Sequence, residues 1–406
     1  MLARAGQTRM RIALYSHDAQ GLGHVRRNLA IAGALAAGGR RDVLLIAGAW
    51  QAGRFAMPAG VELLSLPALG KSREGVYRPR ALTLPVETLI HLRSETMCAA
   101  LESFEPDVLI VDKHPLGIEG ELRAGLDQLA AIGHTRIVLG LREVLDEPDV
   151  VRAEWRRDGS AEAIRRRFDA IWVYGDPRVY DPVREYGFDA GLAAKVRFSG
   201  FLGRLGGDPD RRGTPAATVG AGAERLALCL VGGGEDGFDL ASAFADAPLP
   251  RGTTGVVVTG PFMPTPQRRR IEARAAVRDD LAVCDFLDDP APLLARAGSV
   301  VCMGGYNTVC ELLHHGCRPL VVPRVHPRRE QLIRAERLAA LDLLDVLHPG
   351  DLSPAALGAW LAERRPARPP ACEVIDLNGL ARLERMLEEL PKPLFNAHAG
   401  ARALAR

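Results

Sequence analysis

The chain has 406 residues, 47% of them hydrophobic, and a formal net charge of +2. That length accommodates two α/β domains, each with its own core. The near-neutral balance excludes a nucleic-acid binder held by one large basic field, no apolar run reaches the roughly 18 residues that span a bilayer, and residues 1–7 lack a signal-peptide core.

Short apolar, β-branched runs alternate with segments of helical period, the pattern of βα repeats and parallel sheets. Strands are expected at 11–15, 43–46, 61–66, 108–111, 137–139, 171–173 and 196–198, with a second series at 226–231, 255–258, 281–284, 300–302, 320–322 and 344–347. Between the two series, Gly203-Arg-Leu-Gly-Gly-Asp-Pro-Asp-Arg-Arg-Gly-Thr-Pro215 is rich in Gly, Pro and charge and reads as a linker. The division is a first domain at 1–204, a linker at 205–223, a second domain at 224–372, and a C-terminal helix and tail at 373–406. Two Rossmann-like domains with a cleft between them follow, because parallel sheets bind ligands beyond the carboxyl ends of their strands. Residues 1–9 precede the first strand and are read as an upstream extension or a misassigned start.

The first strand leads into Ser16-His-Asp-Ala-Gln-Gly-Leu-Gly-His24, with a helix expected from about His24. A dinucleotide fingerprint fits poorly: the loop is too long, Arg26 holds the third glycine position, and no acid ends strand two. A nucleotide P-loop is excluded, since no glycine run leads to Gly-Lys-Ser/Thr. At a helix N-terminus the macrodipole keeps an imidazole neutral and competent as a base. Asp18 and His17 share the loop, and either could orient His24 or be the base instead. Arg26 and Arg27 lie in the first turn, where a cation is unfavourable unless an anion is near. The bland alternative is a capping histidine beside two solvated arginines. The segment 69–84 is basic with interleaved apolar residues; it is either an irregular exposed loop or a contact for an acceptor or an anionic membrane surface.

In the second half, Val231-Gly232-Gly233-Gly234-Glu-Asp-Gly follows a strand, and its three glycines suit close approach by a phosphate or sugar. Further on, Cys284-Asp-Phe286-Leu287 ends another strand. The run Gly304-Gly305-Tyr306-Asn307-Thr308-Val-Cys-Glu311 then turns into a helix whose N-terminal N–H groups can hold a phosphate. Side chains on a helix tilt toward its N-terminus, so Glu311 leans back toward that anion. Thr308 and Glu311 alone also satisfy a capping box. A last cluster, Pro323-Arg-Val-His-Pro-Arg-Arg-Glu330-Gln331, opens one more helix, with Pro327 suited to its first turn.

In this order the parts resemble the donor-binding half of GT-B glycosyltransferases, most of all family 28. The resemblance implies an α/β GT-B fold with an interdomain cleft. It places Gly21, Gly23 and His24 on the acceptor side, with His24 or Asp18 as the catalytic base. It also gives the nucleobase to Phe286 and Leu287, the diphosphate to Gly304, Gly305 and Tyr306–Thr308, the ribose to Glu311, and the donor sugar to Glu330 and Gln331. Gly232–Gly234 would lie over the donor and the reaction centre. Tyr306-Asn307 replaces the family's small residues. A GT-B C-terminal helix commonly returns to the first domain, and 374–390 has the spacing to do so; a plain cap on domain two is the alternative.

The expected activity is transfer of a hexose or N-acetylhexosamine from a nucleotide-diphosphate sugar, UDP-linked, to the hydroxyl of an acceptor that is a small molecule, a glycan or a lipid-linked precursor. Transfer is expected to invert the anomeric carbon and to need no metal and no cofactor. Asp208-Pro-Asp210 is the only Asp-x-Asp and falls in the linker, while His314 and His315 point different ways on a helix. The seven cysteines, an odd number without a C-x-x-C pair, suggest reduced thiols and a cytosolic chain, with a peripheral contact at the inner face of the membrane as a further expectation and no nucleic-acid partner. Two rivals stay open: a nucleotide-sugar epimerase of the same fold, and a sugar-nucleotide binder without turnover.

Overall fold

A computed structural model describes residues 9–17, 23–48, 56–71, 76–203, 224–287, 290–363 and 369–391. Asp18, Gly21 and the expected linker 205–223 lie outside the described residues.

Each of the thirteen expected strands is present, with ends displaced by up to three residues. The first sheet is built from β1 (Met10–Ser16), β2 (Arg41–Ala47), β3 (Val61–Ser65), β6 (Val108–Asp112), β7 (Arg136–Arg142), β8 (Ala170–Tyr174) and β9 (Val196–Phe198). Its order is β3-β2-β1-β6-β7-β8-β9, and all its pairings are parallel. A short antiparallel hairpin, β4 (Leu69–Lys71) and β5 (Tyr77–Pro79), stands apart from it. No sequence signal marked that hairpin, because three-residue strands are too short to show a period. The second sheet contains β10 (Arg225–Leu230), β11 (Thr253–Val258), β12 (Leu281–Cys284), β13 (Ala297–Cys302), β14 (Leu320–Val321) and β15 (Asp345–Val346). Its order is β12-β11-β10-β13-β14-β15, again parallel throughout.

Helices cover both faces of these sheets, so central strands such as β6 and β8 are buried at every position. The order of both sheets reverses beside the first strand: β1 borders β2 and β6, and β10 borders β11 and β13. Each reversal opens a crevice above the carboxyl ends of two adjacent strands. Those two crevices position everything described below.

One apolar cluster joins the two halves. It runs from Ile12 and Leu14 through Phe201 and Tyr306 to Leu228 and Val300. The Phe201 and Tyr306 rings stack within it at a centroid distance of 6.1 Å.

The expected helix over 374–390 is instead two pieces, Ala371–Val374 and Gly379–Glu388. Asp376 accepts the Asn378 N–H at 2.9 Å, a local turn that competes with the helix ladder. Phe201 donates to the Asp376 carbonyl and accepts from the Gly379 N–H, both at 2.8 Å. A Cβ at position 379 would sit 2.6 Å from the Phe201 carbonyl oxygen, so glycine is required there. The last helix then lies along helix Gly23–Ala36 of the first domain, where Glu384 pairs with Arg40 and Arg41 at 2.7 and 2.9 Å.

Candidate active site

In the crevice of the first sheet, helix Gly23–Ala36 begins just past β1, and β6 ends beside it in Asp112. Asp112 is 2% exposed and gathers four groups around one carboxylate. His24 Nδ1 lies 2.5 Å from Oδ2, and Arg27 Nη2 donates to Oδ1 at 2.6 Å. Asn28 Nδ2 donates to Oδ2 at 3.2 Å and the His17 backbone N–H to the same oxygen at 3.4 Å. An ionised carboxylate only accepts, so the proton between it and His24 belongs to Nδ1. Nε2 is then the nitrogen with a lone pair to offer.

Burial is the largest influence on His24 and lowers its pKa to about 4; the nearby Arg27 and Lys113 act the same way, against Asp112. For Asp112 burial alone would raise the pKa, but Arg27 and His24 together hold it well below the usual carboxylate range. At neutral pH the pair is therefore a neutral imidazole on an ionised carboxylate. That is the arrangement a general base requires, with its tautomer fixed by the partner. Asp112 was missed in the sequence, although a lone acid ending the apolar run Val108–Val111 was the available signal. Lys113 is next in the chain. It adopts a left-handed backbone with φ 68°, a conformation that costs a side-chain-bearing residue about 1 kcal/mol or more and collects at working sites.

The second crevice holds the glycine turns. Gly304 has φ 79°, and a Cβ there would sit 2.5 Å from Val321 Cγ1. Gly305 caps helix Tyr306–His314, with open space where its side chain would be. The helix start excludes the capping-box alternative: Thr308 lies inside the helix and no side chain caps it. Glu311 sits in the second turn and is buried. In the other glycine loop, Gly232 has φ 66° and open space around it, whereas a Cβ on Gly234 would lie 2.3 Å from the Thr259 carbonyl oxygen. Gly234 is thus set by chain packing, and Gly232 by its backbone conformation. Gly233 is half-buried near Phe262. Phe286 is exposed at the end of β12, while Leu287 is buried in the shared core. Tyr306 turns its ring into that core, between the Arg27 and Arg334 guanidinium groups at 5.9 and 5.5 Å. Only its backbone is left to meet a diphosphate.

The two crevices face each other. Asn307 Nδ2 donates to the Gly23 carbonyl at 2.9 Å, and Arg26 Nη2 lies 2.8 Å from Glu311 Oε1. Beside them a row of ion pairs crosses between the halves. Arg328 is bidentate on Glu154 and reaches Asp146. The Arg329 backbone N–H donates to Asp146 at 2.8 Å, and its side chain pairs with Glu147 at 2.6 Å. Arg334 meets Glu143 at 2.5 Å, both fully buried, and Arg337 meets Glu185 at 2.7 Å. The anion expected to relieve Arg26 and Arg27 is thus, in each case, a protein carboxylate, and Arg328 and Arg329 are paired with carboxylates as well. Pro327 is not in a first helical turn either: the helix starts at Glu330 with Arg329 as its cap. Glu330 is buried against Arg142 and Arg324; burial opposes its charge, yet Arg142, Arg334 and Arg324 bring its pKa down to about 2. Gln331 Oε1 accepts the Arg324 N–H at 2.9 Å. Among the described residues no cluster of three His, Cys, Asp or Glu could hold a metal ion, and no helix is long and apolar enough to cross a membrane.

No protein-family profile matches the chain. Over 83 residues it is 31% identical to the UDP-N-acetylglucosamine--N-acetylmuramyl-(pentapeptide) pyrophosphoryl-undecaprenol N-acetylglucosamine transferase of Haemophilus influenzae (strain 86-028NP), a stretch covering 20% of this chain and 24% of that protein. The protein of the same name from Photobacterium profundum is 36% identical over 79 residues, 20% of this chain and 22% of its own length. The chain thus spans about a quarter of the length of these curated relatives. Among solved structures, the calicheamicin glycosyltransferase CalG4 superposes with a TM-score of 0.59 at 19% identity, covering 94% of this chain and 98% of that one. Acinetobacter baumannii MurG gives 0.53 at 14% identity, covering 96% and 98%. The fold is GT-B, and the likeness to family 28 expected from the residues holds over the matched stretch.

Proposed function

We propose that the chain is a glycosyltransferase moving a hexose or N-acetylhexosamine from a UDP-linked sugar to an acceptor hydroxyl, with inversion and without a metal. In this reading residues 1–204 form the acceptor side and 224–372 the donor side, and of the C-terminal segment 373–406 the helix Gly379–Glu388 returns to the first. The observation that carries it is the His24–Asp112 pair at one switch point, held against a glycine-turned helix N-terminus at the other. His24 Nε2 takes the proton of the acceptor hydroxyl as its oxygen attacks the anomeric carbon. The bond from that carbon to the diphosphate breaks on the opposite side. The departing charge falls to the backbone N–H groups of Gly305–Thr308. Glu311 takes the ribose hydroxyls, Phe286 and Leu287 meet the base, and Gly232 and Gly233 lie over the sugar. Glu330 and Gln331 are proposed for the donor sugar, Glu330 through whichever oxygen its arginines leave accessible. Gly21 and Asp18 keep their proposed place on the acceptor loop, with Asp18 secondary now that His24 has Asp112. The uridine and hexosamine preference and a glycan or lipid-linked acceptor follow the names of the curated relatives, and a peripheral contact at the inner membrane face is proposed with them.

The experiment that tests the donor site is a calorimetric titration of Glu311→Gln beside its melting curve. Glu311 is expected to contribute to affinity, so the variant should bind a ribonucleoside diphosphate at least tenfold more weakly, the effect of losing about 1.5–3 kcal/mol of charged hydrogen bonding. A variant with lowered stability and unchanged affinity would remove Glu311 from the site. Affinity for the diphosphate should also survive EDTA, because helix N-termini supply the positive potential. Binding lost to the chelator and restored by magnesium or manganese would reject a metal-free donor site.

A further inference from the structure

We propose that Arg26 is a donor-diphosphate ligand supplied by the acceptor domain, parked on Glu311 until a ribose takes that carboxylate. This rests on the donor-site reading above and deepens it. Arg26 and Arg27 are neighbours in the first turn of helix Gly23–Ala36, where the macrodipole disfavours both. Arg27 is accounted for: it is buried and donates to Asp112 at 2.6 Å. Arg26 is different. Its Nη2 lies 2.8 Å from Glu311 Oε1, but the approach is too poorly aligned for a hydrogen bond, and Nη2 has no other hydrogen-bond partner among the described residues. Of the two side chains Arg26 is the more accessible, 23% against 8%.

The surroundings say where the guanidinium would go. Asn307 ties helix Tyr306–His314 to the Gly23 carbonyl, so the two helix N-termini converge on the gap that Arg26 crosses. Gly305 has open space where a side chain would be. A diphosphate on the N–H groups of Gly305–Thr308 would lie about one helical turn, roughly 5 Å, from Glu311. Ribose hydroxyls donating to the two Glu311 oxygens compete with Arg26 for Oε1. The released guanidinium, a flexible side chain with a planar fork, then finds phosphate oxygens within reach, and a bidentate contact there is better aligned than the pair it left. Ribose binding therefore disrupts an ion pair and the diphosphate replaces it, so the site favours the whole nucleotide over a bare nucleoside and draws the two domains onto the donor together.

The test uses the full chain and its Arg26→Gln, Arg26→Lys and Glu311→Gln variants. Each is titrated with uridine, guanosine and thymidine and with their 5′-diphosphates, with a melting curve to confirm folding. For the nucleotide that binds, Arg26→Gln should weaken the diphosphate by about tenfold or more, while the parent nucleoside binds equally well or more tightly. Arg26→Lys should recover part of the loss, keeping the charge without the fork. Equal weakening of nucleoside and diphosphate by Arg26→Gln would mean that Arg26 only orients Glu311, and would overturn the proposal. So would no change in either. If Glu311→Gln leaves nucleoside affinity untouched, the donor-site reading itself fails, an outcome distinct from Arg26 failing while Glu311 holds.

Discussion

Replacing His24 by alanine should lower turnover by roughly 10²–10⁴, the usual contribution of a positioned base, while donor affinity stays intact because the imidazole of His24 is assigned to the acceptor and not to the donor. The pH profile gives a second signature. A base acts in its neutral form, and burial lowers the His24 pKa to about 4. The rate of the wild-type chain should therefore be level through neutrality and down to about pH 5, falling only as the pH approaches 4. In His24→Ala that acid limb should be gone. Steady-state kinetics from about pH 3.5 to 8 on both proteins, with donor affinity measured in parallel, check this. Near-normal turnover in His24→Ala, with activity abolished in Asp18→Asn, would transfer the role to Asp18.

Asp112→Asn should cost both activity and stability, and the stability loss should be the largest of any single change proposed here. The amide presents either an N–H or a carbonyl to His24 Nδ1, so the imidazole loses the acceptor that fixes its tautomer, and turnover should fall to near the His24→Ala level. Arg27, buried and held to Oδ1 at 2.6 Å, would lose its counter-charge. Breaking a buried pair from one side typically costs about 3–5 kcal/mol. Linkage points the same way. The folded-state values of His24 and Asp112 are both lowered, so on acidification the unfolded chain binds protons first. Stability should decline from the ordinary histidine value of 6.5 toward about 4 for His24, and further below the usual carboxylate range for Asp112. Denaturant titrations at about pH 7 and pH 5 should show this decline in the wild-type chain and a smaller one in His24→Ala, which lacks the titrating imidazole. A stability within about 1 kcal/mol of wild type at pH 7 would contradict the buried network.

Why the strands were legible and the site only half so has a physical explanation. Parallel strands covered on both faces are written as unbroken apolar runs, and Val108–Val111 or Val256–Val258 can hardly be anything else. The glycine turns were equally plain, since Gly304 and Gly232 hold backbone conformations that side chains avoid. What could not be read was partnership. Asp112 and His24 are 88 positions apart, and Arg328 and Glu154 are 174 apart, so nothing local records either contact. Arg26 and Arg27 read from the sequence as electrostatically misplaced at a helix start, and the anions beside them are carboxylates brought in by the fold, Asp112 from the same half and Glu311 from the opposite one. The C-terminal helix was foreseen as one piece because its leucine spacing runs on; the turn at Asp376–Asn378 interrupts it with backbone hydrogen bonds that spacing does not encode.

The central claim is that the second sheet's crevice is a nucleotide site built from the Gly304–Gly305 turn and Glu311. The most direct measurement is the melt of the full chain against uridine, guanosine and thymidine diphosphates and their sugars. One base series should stabilise the fold, by about 2.7 kcal/mol when its diphosphate is present at 100 times Kd, and Glu311→Gln, bound at least tenfold more weakly, should lose about half of that gain or more at the same concentration. If no nucleotide in the panel moves the melt, or if Glu311→Gln responds as the wild type does, the donor site lies elsewhere and the account fails.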